Sequence, residues 1–155
     1  MFQIKNYTIM RMKRNTKRGG NSLKSITVPA KMEYLDDVVN LVERILEQTP
    51  IVEREKTHVL ISAEEIFTNI ASYAYGESTG NVQMTCEVNV ERIRICFRDQ
   101  GIEYNPLERP NPDFDIPFED RPIGGLGIYM VKKYMDHVSY RRDGDSNVLT
   151  IEKRL

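Results

Sequence analysis

Three short groups of residues in this sequence are suited to chemistry. In "SAEEIFTNIASYAYG", residues 62–76, Glu65 and Asn69 stand four positions apart, one helical turn. Such a pair is either a wetted surface or half of a site. Next comes Asp99-Gln100-Gly101, which ends a run with Ile93, Ile95 and Phe97 at its odd positions. Continued alternation puts Asp99 on the same covered face. A carboxylate there is costly unless something donates hydrogen bonds to it. The third group, Gly124-Gly125-Leu126-Gly127, opens a helical pattern. Glycines let backbone N–H groups approach an anion, and a helix N-terminus adds unpaired donors and positive potential.

Each group also has a plainer explanation. On a helical wheel Val59, Ala63, Ile66, Phe67, Ile70, Ala71 and Ala74 form one face, and His58, Ser62, Glu65, Asn69 and Ser72 gather opposite. Such a polar stripe reads as solvent-facing by itself, with His58 a surface residue. Asp99 alone could cap a turn, anchor a loop or mark the exit of a strand into solvent. The glycines alone could be a hinge. They form neither a Walker loop, since no Gly-Lys-Ser/Thr follows, nor a dinucleotide fingerprint, since Met130 takes the place of the third glycine and a proline-rich loop precedes.

The elements that must position these groups are clearly punctuated. Ser25 to Pro29 is a short β-prone run, and Lys31 to Gln48 carries Leu35, Val38, Val39, Val42, Ile45 and Leu46 at a helical period before Thr49-Pro50 stops it. A second helix is expected from about Glu53 to Tyr75, stopped by Gly76. Val82 to Val90 and Ile93 to Phe97 alternate as a hairpin turning near Asn89 to Arg92. If Val88 faces Ile93, then Cys86 faces Ile95 and Cys96 points to the other side, so both cysteines should stay free thiols. Ile102 to Ile123 loses all periodicity among prolines and acidic residues, the mark of a lid or binding loop. A third helix should run from the glycines to about Asp136, followed by a second hairpin around Asp143-Gly144-Asp145. This order predicts an α+β fold: a two-layer sandwich with a mixed, mostly antiparallel sheet and helices on one face.

Composition narrows what the motifs can mean. The chain has 155 residues, 40% of them hydrophobic and 29% charged, which fits one domain with a real core. With 22 basic residues against 23 acidic, no global charge calls for nucleic acid or a membrane surface as a partner. The apolar runs are too short to span a bilayer. Two cysteines make neither a disulfide framework nor a multi-cysteine metal site, which makes a reducing, cytoplasmic setting the economical reading. Residues 1–24 hold seven basic residues and no acidic one. They read as a disordered tail, as a misplaced start given Met10 and Met12, or as an electrostatic docking arm, with the domain itself at 25–155.

Taken together and in this order, Glu-x-x-x-Asn on a helix, Asp-x-Gly at a strand end, a long loop and Gly-Gly-Leu-Gly at a helix start resemble the nucleotide site of the GHKL superfamily. That superfamily includes gyrase, heat-shock chaperone, histidine kinase and mismatch-repair ATPases. Within it, "EEIFTNIASYAY", "RDQGIEYNPLE" and "RPIGGLGIYMVKKYMDHVSYRRDGDSNVLTIEKRL" are most similar to the bacterial anti-sigma factor serine/threonine kinases. The resemblance covers about Ser25 to Leu155. It departs from many members at Glu103, where a second glycine is common, and at Tyr73, where histidine or lysine is common.

The resemblance implies a role for each group. Asp99 would accept a hydrogen bond from the adenine amino group of ATP, with Gly101 leaving room for the base. Asn69 would hold Mg²⁺, and Gly124, Gly125, Leu126 and Gly127 would cradle the phosphates. Glu65 would be the general base, and residues 102–123 the lid. The partners implied are a small anti-anti-sigma antagonist protein, which would be phosphorylated, a sigma factor, and a second copy of the chain in a homodimer. A non-catalytic ATP-binding switch module or a simple ATPase would use the same residues. A sensor histidine kinase fits less well, because the chain has only His58 and His137 and no preceding helical hairpin to present a phosphoacceptor.

Overall fold

The computed structural model describes residues 8–10, 22–117, 119 and 125–155. Its sheet has six strands in the order β1-β2-β3-β4-β6-β5. They are β1 (Thr8–Met10), β2 (Ser22–Pro29), β3 (Asn81–Val88), β4 (Arg92–Asp99), β5 (His137–Asp143) and β6 (Ser146–Arg154). Every described pairing is antiparallel. The sheet begins earlier than expected: β2 starts at Ser22, and Thr8–Met10, inside the basic segment, pairs along it with Ile9 opposite Ile26.

Three helices cover one face: α1 (Leu35–Leu46), α2 (Glu53–Asn69) and α3 (Leu126–Tyr134). The alternation read from the sequence sets which side they cover. Ile93, Ile95, Phe97 and Asp99 are buried, while Arg92 and Arg94, at the alternate positions, are exposed. The hairpin register is the expected one, with Val88 opposite Ile93 and Cys86 opposite Ile95, and both cysteines are free. Burial in the core pushes the Cys86 thiol up to about 12, so it acts as a small apolar side chain.

The helices bury Val38, Val42 and Leu46 from α1 and Val59, Ala63, Ile66 and Phe67 from α2 against Met84, Phe97 and Ile151 of the sheet. Burying a side chain the size of Phe67 contributes about 1.5–3 kcal/mol. Among the described residues no helix is long and apolar enough to cross a membrane.

Candidate functional site

The second helix is regular only as far as Asn69. Ile70–Ala74 forms a π-helical turn and Gly76, at φ +56°, ends the element. Such widened turns recur at functional sites. Here the turn presents the Ala74 carbonyl outward, where it accepts the N–H of Ile102 at 2.7 Å. The end of α2 is thereby bonded to the residues that follow β4. A methyl on Gly101 would collide with that carbonyl and lie 2.6 Å from the Ala74 Cβ. The glycine is required by this close approach.

Tyr75 adds a second tie. Its hydroxyl donates to the Asn81 carbonyl at 2.6 Å and accepts the Gln100 N–H at 2.9 Å, and its ring occupies the space above Gly80.

At the end of β4, Asp99 is only 4% exposed. Its Oδ1 accepts the Gly101 N–H and the Asn147 Nδ2–H, each at 2.9 Å. The carboxylate is therefore supplied with donors from the protein on one oxygen. No described residue donates to Oδ2, and Asp99 lines a cleft of about 340 Å³.

The sequence does not single out Asn147, which reads as the first residue of the last strand of the second hairpin. It stands opposite Asp99 in the ladder and is 6% exposed. Its amide also donates to the Ile102 carbonyl at 2.9 Å, and its oxygen accepts from Tyr140 Oη at 2.7 Å and Arg142 Nη1 at 2.9 Å. Parity was the available signal: Asn147, Leu149 and Ile151 share one face of β6.

The cleft runs between α2 and the sheet. Ile66, Ile70, Ile128 and Leu149 make its apolar walls, Asp99, Asn147 and Asn69 its polar positions, and Tyr73, Ile102 and Tyr104 its rim. Asn69 donates Nδ2–H to the Glu65 carbonyl at 2.9 Å, and none of the described residues donates to its amide oxygen.

The polar stripe of α2 is not a solvated face. Ser62 is fully buried and donates to the His58 carbonyl at 2.8 Å. His58 stacks on the Tyr134 ring with centroids 4.1 Å apart, so it packs against α3 rather than lying on the surface. Glu65 lies against the first turn of α3, where a methyl on Gly127 would meet its carboxylate and lie 2.6 Å from its Cδ. Burial, and secondarily repulsion from Glu64, raises its carboxyl above the usual carboxylate range.

Gly125 caps α3 at φ +94°, a conformation that glycine adopts without strain, and Leu126 follows half-exposed. The first N–H groups of this nine-residue helix have no helical partner of their own. Gly124 lies outside the described residues.

Asn69 and Asp99 thus line one cleft, while Glu65, Gly125, Leu126 and Gly127 meet at the adjoining start of α3. The loop after Gly101 is held down along its first half. Lys132 Nζ donates to the Leu107 carbonyl at 3.1 Å, and Phe114 packs on Tyr129 with ring centroids 5.2 Å apart.

No group of three or more metal-ligating side chains occurs among the described residues. The single free amide oxygen of Asn69 suits Mg²⁺, which keeps several waters and takes its other ligands from phosphates.

An antiparallel sheet under three helices, with a buried carboxylate at a strand end and a glycine-opened helix beside a cleft, defines a nucleotide-binding type of α+β domain. Residues 28–153 match the family of histidine kinase-like ATPase domains, and the chain belongs to that family. It is similar to the serine-protein kinase RsbW of Bacillus cereus (strain ZK / E33L), 28% identical over 126 residues, which make up 79% of each chain. The proteins of the same name from Bacillus thuringiensis subsp. konkukian (strain 97-27) and Bacillus mycoides (strain KBAB4) are 28% and 27% identical over the same share.

Proposed function

We propose that this chain is an ATP- and Mg²⁺-dependent serine/threonine protein kinase of the anti-sigma type. In this reading it phosphorylates a small anti-anti-sigma antagonist protein and, as a cytoplasmic homodimer, holds a sigma factor. The family supports the nucleotide, and the names of the relatives support the reaction.

The observation that carries the reading is the position of Glu65. A carboxylate with a raised pKa stands against the first turn of α3, where phosphates would sit. A module that only binds nucleotide has no use for a base there.

Asp99 Oδ2 accepts the adenine amino hydrogen while Asn147 holds Oδ1. The amides from Gly125 to Gly127 face the phosphates. Asn69 Oδ1 would hold Mg²⁺, which when bound would supply positive charge to the phosphate oxygens. Glu65 takes the proton of the attacking serine hydroxyl as its oxygen bonds to the γ-phosphorus; the bond to the β-phosphate oxygen breaks and ADP leaves.

The test is transfer of radiolabel from γ-labelled ATP to a serine-bearing antagonist encoded by the same genome. Label on that serine is the expected result. Nucleotide binding with no transfer to any such protein would leave an ATP-binding switch module as the account.

A further inference from the structure

Among the described residues that line the cleft, Arg109 is the one cation, and it shares the lining with two carboxylates, Asp99 and Glu103. Glu65 adds a third at the neighbouring start of α3. A polyanion entering this space meets a negative field unless a positive charge is brought to it.

Arg109 is placed to supply that charge. It directly follows the turn Pro106–Glu108, which is fixed by burial of Pro106 and by the Asn105 side chain accepting the Leu107 N–H at 3.1 Å. The bond from Lys132 to the Leu107 carbonyl secures the same turn to α3. From this base the side chain crosses to Gly125: its Cδ and Nε lie 3.8 Å, and its Cζ 4.0 Å, from where a Cβ on Gly125 would stand. The guanidinium therefore rests beside the positive end of a helix. Two like-signed groups side by side are unfavourable unless an anion lies between them. Among the described residues none gives the guanidinium a hydrogen bond or an ion pair.

We propose that Arg109 binds the polyphosphate of the nucleotide across the N-terminus of α3, joining the loop to the occupied site by a charge-assisted, forked contact. This rests on the ATP reading above. It adds a side chain to the phosphate site that neither the glycine-opened helix nor the Glu-x-x-x-Asn pair provides.

The experiment is an NMR chemical-shift titration of the full chain with adenosine, ADP and ATP in the presence of Mg²⁺, a method that also reads weak affinities. Wild type is compared with Arg109→Ala and Arg109→Lys. In Arg109→Ala the affinity for ATP and ADP should fall about ten- to a hundredfold, the scale of a lost charge-assisted contact, while adenosine binds as before. Arg109→Lys should recover part of the loss, since it restores the charge but not the fork. Thermal midpoints without ligand should agree among the three, because the side chain is exposed and bonds to none of the described residues.

An equal loss for adenosine would make Arg109 part of the base end of the cleft, and an unchanged affinity for ATP would remove it from the site; either result overturns the proposal. Failure of the ATP reading itself would look different, because wild type would then bind none of the three.

Discussion

Asn147 Nδ2 and Asp99 Oδ1 are 2.9 Å apart, on residues directly opposite each other in the β4–β6 ladder. With the Gly101 N–H, this bond fixes which carboxylate oxygen belongs to the fold and which faces the cleft. Asn147→Ala removes it together with the donor to the Ile102 carbonyl, so one buried and one partly buried acceptor lose a partner. The variant should lose about 1–3 kcal/mol of stability in urea unfolding. It should also bind adenine nucleotides more weakly, because the Asp99 side chain is then held, among the described residues, only by the Gly101 N–H.

Asp99→Asn keeps the shape but puts an N–H₂ group on one side of the cleft contact. An acceptor becomes a donor facing a donor. Calorimetry should show adenine nucleotide affinity lower by about 1–3 kcal/mol. Unchanged affinity would take Asp99 out of base recognition.

Glu65→Gln separates binding from transfer. Nucleotide affinity should persist while phosphotransfer falls by roughly 10² to 10⁴. In wild type the transfer rate should decline as pH falls through the raised pKa of Glu65, which lies above the ordinary carboxylate value of 4.5.

Stability should show the same group with the opposite sign. A folded-state pKa above the unfolded one means that the folded protein holds the proton more tightly. Wild type should therefore lose stability as pH rises from about 4.5 through the folded-state pKa, and Glu65→Gln should not. Parallel pH–stability curves for the two proteins would contradict the raised pKa.

Two glycine replacements should fail in different ways. In Gly127→Ala the new methyl meets the flexible end of Glu65, which can turn aside, so transfer should suffer more than stability. In Gly101→Ala it meets the backbone carbonyl of Ala74, which cannot move alone. That variant should lose about 1–3 kcal/mol in chemical unfolding.

Much of this was legible in the sequence because the fold is written in simple periods. Alternation along β3 and β4 gave the register, the face of Asp99 and the free state of both cysteines. The helical period placed Val59, Ala63, Ile66 and Phe67 in the core.

What the periods could not give was contact between distant elements. The α2 stripe reads as wet until α3 is known to lie on it, which is why Ser62 and His58 were assigned to the surface. Nothing in the sequence announces the approach of Ala74 to Gly101. Asn147 reads as the start of a strand, and the shared parity with Leu149 and Ile151 is the one hint that it faces inward. The expected helix to Tyr75 had no marker for the change from α to π geometry at Ile70, since Ile-Ala-Ser-Tyr-Ala suits either.

The Tyr75 hydroxyl bridges Asn81 and Gln100, and Ala74 and Ile102 are joined beside it. The C-terminal end of α2, the start of β3 and the end of β4 are riveted together at one corner of the molecule. That corner behaves as an anvil: Asp99 and Asn69 stand on parts that cannot shift relative to each other without breaking these bonds. Any adjustment to a ligand should then fall to the other side, to α3 and residues 104–117, as the moving jaw. The amides of Gln100 and Ile102 should accordingly exchange with solvent at the same slow rate whether or not nucleotide is bound.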